Sequence, residues 1–492
     1  MNFEKFKILS QNYKLVPVYE KITADLLTPV LAFIKLRTNN KFCFLFESVE
    51  GIGNLARYSF IGMNPSKLIT NKGKNIKVES DGKIENYQMS IFDYFKDEIK
   101  NFNSPKIDEL PDFTGGIVGY LGFENVALIE DVIEFDGHDE NDFPDSFFGV
   151  FENVIAFDHY KHQIILISNA DLKKNDDVES AYKNSKEKLS KIKNELMTVT
   201  EHKSDFKLLD DEFANFDMEE FYKTVDAGKK NIFEGDVFQL VLSKRFSSKY
   251  KGDLLNVYRA LRIINPSPYM YFMQFDEDLT VIGTSPEDLI KVKDNKAAIL
   301  PIAGTRRRGK TKEEDIALEK ELLGDPKEIA EHQMLVDLAR NDLGRVCNYD
   351  SVKLTEEKSI HRFSHVMHIV SRVEGELKKD KDCVDALTAS FPAGTVSGAP
   401  KIRAIQLINE YEKLKRNIYA GAIGYIDFSG NLDLCIAIRT LFADKKKIYW
   451  QAGAGIVADS QPELELKEIY NKSKALLSAL KFAGEIDESI NN

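Results

Sequence analysis

The chain has 492 residues, 43% hydrophobic and 30% charged, enough to bury a large core in one to three domains at a rough prior of ~150 residues each. Lys+Arg 67 against Asp+Glu 79 leave a net charge of −12, the opposite of what a binder of nucleic acid or anionic lipid carries. A site for an anion must therefore be built locally, from a few cations, a metal or helix N-termini.

Met1 to Val16 is polar and lacks the apolar run of a signal peptide. No apolar stretch approaches the roughly 20 residues that span a bilayer. Cys43, Cys347, Cys383 and Cys435 are scattered, with no CxxC pair and no metal spacing. That usage fits a reducing cytoplasm. None of the four sits in the GxCxG setting of a glutamine amidotransferase nucleophile.

In chain order, the first 170 residues read mainly as strands. Phe42–Phe46 and Val154–Ile167 are rich in β-branched and aromatic residues, and Asp81-Gly82 is a turn signal. From Asp171 to Thr200 the chain is highly charged, with Ala181, Leu189, Ile192 and Leu196 spaced as on a surface helix. A polar linker, Glu201 to Asp211, follows and suggests a boundary near residue 205. Phe216 to Phe233 reads as a helix and Val237–Leu242 as an apolar strand, after which strands and helices alternate. The expectation is an α+β fold of large sheets with covering helices, divided into residues 1–205 and 206–492.

Four C-terminal segments have residue types suited to an anionic, metal-assisted site. Asp325 to His332 leads into an amphipathic helix with Pro326 near its start, and Glu328 and Glu331 share a face by i, i+3 spacing. Ser460 to Glu468 repeats the pattern: Ser460 with Glu463 has capping-box spacing, and Glu465 and Glu468 share a face. Two such carboxylate pairs suit a hard cation that prefers oxygen ligands, although helical Glu pairs are mostly solvated surface. Phe391 to Lys401 is a Gly-rich turn opening a helix near Pro400, with free N–H groups that attract carboxylate. Tyr449 to Gly455 is a strand running into Gly-Ala-Gly, where a ligand can approach the backbone. Arg439, at the end of an apolar strand Leu434–Ile438, suits a bidentate carboxylate grip or a structural ion pair. His368 lies in an apolar run, where a lone His is more often a core residue than a catalyst.

Taken in order, Pro301-Ile-Ala-Gly-Thr-Arg306, the run Glu331 to Asp342, Val366-Met-His368, the run Gly394 to Lys401 and Gln451-Ala-Gly-Ala-Gly455 are far more specific than any one of them. The series resembles the chorismate-utilising enzymes, which comprise the anthranilate, aminodeoxychorismate, isochorismate and salicylate synthases. The resemblance runs from about Phe221 to Leu480, and Phe113 to Tyr120 extends it toward the N-terminus. It implies a two-lobed sandwich of sheets. In the water-using members a Lys activates water where this chain has Gln239, which cannot act as a base. Many aminodeoxychorismate synthases carry a nucleophilic Lys where this chain has Ala303. Phe46-Glu-Ser48 with Asn265 to Met270 resembles the tryptophan feedback site of the anthranilate-forming branch, through Ser48, Asn265, Pro268, Tyr269 and Met270.

By that resemblance, Glu331 and Glu468 hold Mg²⁺, with Glu328 and Glu465 as further ligands or supporting groups. The ion binds the ring carboxylate of chorismate beside the backbone of Gly453, Ala454 and Gly455. Tyr419 and Arg439 grip the enolpyruvyl carboxylate, and Gly304, Thr305 and Thr395 line the pocket. Glu287 is the general acid that protonates the departing C4 hydroxyl as ammonia adds at C2, with Gln239 at the nucleophile's position. His368 serves the elimination of pyruvate. The resemblance also implies a glutamine amidotransferase partner subunit, a cytoplasmic heterotetramer and feedback by tryptophan. An aminodeoxychorismate synthase or a non-catalytic tryptophan sensor are the alternatives.

Overall fold

The computed structural model describes residues 1–37, 40, 42–48, 57–139, 142–174, 177–198, 205–215, 217–275, 279–363 and 366–486. Val154–Ile167, expected as one strand, is a hairpin: Asn153–Asp158 and Gln163–Asp171 pair antiparallel, and His162 takes φ 51° where the chain reverses. Asp81-Gly82 turns the chain between Asn75–Ser80 and Lys83–Gln88 with positive φ at both residues. The charged stretch after Asp171 folds as the helix Val178–Met197. Asp177 caps it by accepting the Ser180 N–H at 2.8 Å. Its buried stripe includes Ala181, Leu189, Ile192 and Leu196, as the periodicity requires, and the helix packs on Gln163–Asp171. The next helix, Met218–Phe233, is capped by Asp217; Phe216 and residues 201–204 of the expected linker lie outside the described residues.

Among the described residues the strands form two antiparallel sheets, of 13 and 12 strands. The first includes Leu15–Thr23 and Phe42–Glu47 from the N-terminal part, and Tyr269–Phe275, Leu279–Ser285, Thr440–Ala443, Lys447–Ile456 and Gln239–Gly252 from the rest. The second joins Gly116–Leu121 and Ser146–Phe151 to Ala422–Asp427, Leu432–Ile436, Asp288–Lys293 and Val366–Glu376. Each sheet thus takes strands from both sides of residue 205. An aromatic layer joins their inner faces: Phe42, Phe44, Tyr271 and Phe442 from one meet Tyr120 and Phe151 from the other. Each such fully buried side chain contributes about 1.5–3 kcal/mol of transfer free energy. No described helix is long and apolar enough to cross a membrane.

Two of the places where the chain crosses between sheets are adjacent, and these position the site. Leu279–Ser285 lies in the first sheet and Asp288–Lys293 in the second, so Pro286-Glu287 is a crossover. Leu432–Ile436 and Thr440–Ala443 lie in opposite sheets too, so residues 437–439 are another. The strand expected over Leu434–Ile438 therefore stops at Ile436, and Arg439 takes φ 51° at the turn. The crossovers bind each other: the Ile436 N–H donates to the Glu287 carbonyl at 3.0 Å, and the Thr284 N–H to the Arg439 carbonyl at 3.1 Å.

Candidate active site

A cavity of about 1140 Å³ opens at this seam, and every residue expected to do chemistry or hold a metal lines it. Glu287 and Arg439 reach it from the two crossovers. Burial pushes the Glu287 carboxyl up to about 7, against the opposing effects of the Thr395 hydroxyl and the Lys472 cation. It is therefore substantially protonated near neutrality. The Thr395 hydroxyl is buried and has no well-directed hydrogen-bond partner among the described residues. Such an atom is costly unless a ligand satisfies it.

His368, on the strand Val366–Glu376, lines the cavity and is not a core residue. Its Nδ1 lies 3.0 Å from the Gly304 carbonyl and 3.1 Å from the Thr305 hydroxyl. A carbonyl only accepts, so Nδ1 carries the proton and Nε2 keeps a free lone pair. Burial lowers the imidazole pKa from its usual value, so the ring is neutral at pH 7. Arg439 is half-buried and makes no side-chain ion pair among the described residues. It stays charged regardless, a cation held in reserve for an anion. Burial pushes the neighbouring Tyr419 phenol up to about 12, so it is a hydrogen-bond donor at neutral pH.

Thr440–Ala443 pairs with Lys447–Ile456 only as far as Trp450. Beyond that point one edge of the glycine-rich stretch has no strand partner among the described residues, and Gly453 and Gly455 line the cavity. A Cβ at Gly453 would lie 2.8 Å from the Tyr419 hydroxyl, and one at Gly455 would lie 2.7 Å from the Gln239 side-chain nitrogen. At Gly453 the backbone carbonyl of Leu242, 3.0 Å away, also leaves no room for a side chain, whereas at Gly455 the contact is only the end of the Gln239 side chain. Between the two glycines the Ala454 side chain is fully buried and does not line the cavity. Only its backbone is available.

The helices Pro326–Val346 and Pro462–Phe482 bring the carboxylate pairs to the mouth. Asp325 caps the first. The capping box expected at Ser460 does not form: the Ser460 hydroxyl accepts the Val457 N–H at 3.0 Å, and the helix begins after Gln461 without a side-chain cap. Glu331 has a raised pKa, from burial and then from facing Glu328. Glu465 is raised too, by burial, with the Glu468 charge adding to it. Glu328 accepts from Arg306 at 3.1 Å, and Glu468 pairs with Lys472 at 2.7 Å. The four carboxylates expected as a ligand set share one cavity, but no three acidic, His or Cys groups among the described residues are assembled for a metal.

The residues expected to bind tryptophan lie toward one end of the strand pair Phe42–Glu47 and Tyr269–Phe275. Asn265 and Pro268 line the catalytic cavity itself. Tyr269 donates to Asp433 at 2.9 Å, and Met270 is buried opposite Glu47. Ser48 is half-buried just beyond that strand pair, and residues 49–56 lie outside the described residues. Sequence reasoning missed Lys472, whose ammonium donates to the Gly453 carbonyl at 3.0 Å. Its position four after Glu468 and seven after Glu465 was the available signal, since it continues their helix face.

A search of known families matches residues 41–478 to the chorismate binding enzymes. The chain is similar to anthranilate synthase component 1 of Acetivibrio thermocellus, 44% identical over 98% of this chain and 99% of that protein. It is similar in structure to anthranilate synthase component I from Streptococcus pneumoniae TIGR4, with TM-score 0.74, 38% identity and coverage of 93% of this chain and 99% of that one. The menaquinone-specific isochorismate synthase of Escherichia coli, 19% identical with TM-score 0.71 over 97% of this chain and 98% of its own, shares the fold.

Proposed function

This chain belongs to the chorismate binding enzyme family, and we propose that it converts chorismate and ammonia to anthranilate and pyruvate. One observation carries the reading. A substantially protonated Glu287, a neutral His368 whose Nδ1 rather than Nε2 donates to the Gly304 carbonyl, and an Arg439 with no ion pair among the described residues share one cavity. Arg439 and the Tyr419 phenol suit the enolpyruvyl carboxylate. The open backbone edge at Gly453–Gly455, with Lys472, suits the ring carboxylate. Gln239 over Gly455 offers an amide where a water-activating base would stand, which favours ammonia as nucleophile.

All-oxygen donors facing each other across the mouth, with raised carboxylate pKa values, fit a hard divalent cation. Glu331 and Glu468 would hold Mg²⁺, with Glu328 and Glu465 supporting; when bound it supplies positive charge to the ring carboxylate. Glu287 gives its proton to the C4 hydroxyl, which departs as water while ammonia bonds to C2. His368 Nε2 then takes the ring proton at C2 as the C3–O bond breaks, and the released enolpyruvate takes up a proton at its methylene carbon to become pyruvate. Thr395 supplies the hydroxyl that orients substrate beside Glu287.

Ammonia comes, on this reading, from glutamine through an amidotransferase subunit of a cytoplasmic heterotetramer. Residues 1–205 carry the tryptophan-responsive segment around Ser48 and residues 206–492 the chorismate site. The folate-pathway alternative would use a Lys where the buried Ala303 methyl lines the cavity, which disfavours it. The test is to incubate purified chain with chorismate, Mg²⁺ and an ammonium salt. Anthranilate by fluorescence and chromatography is expected; isochorismate, a 4-amino isomer or no product overturns the proposal.

A further inference from the structure

Beneath the cavity lies a charged pair that no step of the reaction uses. The side chains of Arg416 and Glu412 are 1% and 4% exposed. Arg416 places Nε and Nη2 on the two oxygens of Glu412, at 2.8 and 2.7 Å. Its remaining donors reach two backbone carbonyls: Nη2 to Val241 at 2.9 Å and Nη1 to Val396 at 2.7 Å. The guanidinium also lies 5.6 Å from the centre of the Tyr419 ring and 4.7 Å from that of Phe123. Val241 belongs to the strand that starts at Gln239, Val396 follows Thr395, and Tyr419 grips substrate. Three separate walls of the cavity meet on one side chain.

The pair reaches further through a chain whose polarity is determined. Glu412 only accepts, so the Ser243 hydroxyl, at 2.7 Å, donates to it, as does the Ser243 N–H at 2.8 Å. The hydroxyl oxygen therefore accepts from the Gln451 amide at 2.7 Å. Arg245 fixes the other end of that amide by donating to its oxygen at 3.2 Å. Gln451 lines the cavity where the glycine-rich strand loses its neighbour. From the opposite side, the Glu124 carboxylate accepts the backbone N–H groups of Arg416 and Asn417 at 2.7 and 3.0 Å. The loop that carries Tyr419 is thus clamped at both its backbone and its side chain.

We propose that Arg416, held by Glu412, is a positioning residue that sets the mutual placement of the Gln239 strand, the Thr395 turn and Tyr419. The pair's location fits a positioning role better than a stabilising one. A buried ion pair is often no more stabilising than apolar residues of similar volume, whereas only a planar fork can bind two carbonyls and a carboxylate at once. Lysine keeps the charge but not the fork.

The inference rests on the proposed reaction, and its test compares variants with a wild-type chain already shown to make anthranilate. If wild type makes none, the reaction assignment fails; if variants match wild type, only the positioning role fails. Arg416→Lys is assayed at a temperature where circular dichroism shows it fully folded. The expected result is a fall in kcat/KM of about a hundredfold, the scale of an ångström-level misplacement, carried by both kcat and the KM for chorismate. Leu189→Ala, in the helix Val178–Met197 away from the cavity, serves as the control for a comparable loss of stability. It should leave kcat and KM of the folded protein unchanged. A folded Arg416→Lys with wild-type kcat and KM overturns the proposal. Should Arg416→Lys not fold, Ser243→Ala carries the test, because it cuts only the link from Glu412 to Gln451. About a tenfold loss in kcat/KM, the scale of one hydrogen bond to a charged group, supports positioning, and no change overturns it.

Discussion

Beneath the floor of the cavity Arg416 makes four side-chain hydrogen bonds to Glu412, Val241 and Val396 and is 1% exposed. At the rim Glu468 and Lys472 keep 47% and 40% of their side-chain surface in water and hold each other by one ion pair. The floor is held by hydrogen bonds within the chain itself. The rim holds its carboxylates apart or on local cations, with like charges across the mouth and no finished ligand set. Groups that must aim a proton or a carboxylate gain from being fixed in advance, since reorganisation is then not part of the barrier. Groups that bind a cation can be drawn together by it, because its charge repays the rearrangement.

The sharpest way to break this contrast is Glu287→Gln, which keeps the shape of a buried floor group and removes its proton. Turnover should fall by about a thousandfold, within the range general acids supply. The pH profile checks the cause. On the proposed mechanism Glu287 acts when protonated, and burial raises its pKa to about 7, so wild-type kcat/KM should decline as pH rises through about 7. The variant should lose that limb. A variant that retains the decline would move the acid elsewhere.

His368→Met should cost somewhat less overall, because it spares the first step. About a hundredfold slowing of pyruvate loss should let the amino-substituted intermediate accumulate, visible by chromatography. Anthranilate at the normal rate would remove His368 from the chemistry.

For the rim, Glu468→Gln should lower activity at a fixed Mg²⁺ concentration by about the hundredfold that even indirect partners of a bound metal can cost. Raising Mg²⁺ should recover part of it, and calorimetric titration of Mg²⁺ should show the weakened binding directly. A loss that Mg²⁺ cannot relieve would mean that the rim is as pre-built as the floor.

What could be read from residues alone divides along the same line. The rim was legible because helix periodicity is local: Glu328 with Glu331, and Glu465 with Glu468, share faces by spacing alone. The same rule applied one turn further would have found Lys472. The capping box at Ser460 failed because that hydroxyl is taken by Val457 just before the helix begins. The floor was legible only as separate motifs. The i, i+4 spacing of Glu412 and Arg416 allows their pair, but nothing in the spacing of Glu124 and Ser243 says that they join it, because contacts between strands of two sheets are set by tertiary pairing. The alternation of apolar residues located strands well, yet it could not reveal that Glu287 and Arg439 sit on paired crossovers. Nor could it place Ala454 on the core side of its strand, which depends on register.

Lys472→Met asks whether the rim's cations also serve the substrate. Lys472 donates to the Gly453 carbonyl and pairs with Glu468, so it stands between the metal-type carboxylates and the glycine edge. Removing its charge should raise the KM for chorismate about tenfold, the worth of one charged hydrogen bond, with little change in kcat. A fall in kcat alone would make it part of the floor's machinery.

Arg306→Gln should give the smallest effect and the finest division between the two regions. Arg306 reaches Glu321 at 2.9 Å, Asp325 at 2.9 Å and Glu328 at 3.1 Å from a partly exposed position. Pairs of this kind are worth about 0–1 kcal/mol each, so the unfolding midpoint should move little. The local consequence is different: with its cation gone, Glu328 is free to turn toward Glu331 and the mouth. Mg²⁺ affinity should then rise by a factor of about five or less, the equivalent of one such pair, while kcat at saturating Mg²⁺ stays at the wild-type level. If affinity falls instead, Arg306 is holding Glu328 in its metal-ready position, and the rim is organised in advance after all, by salt bridges where the floor uses buried hydrogen bonds.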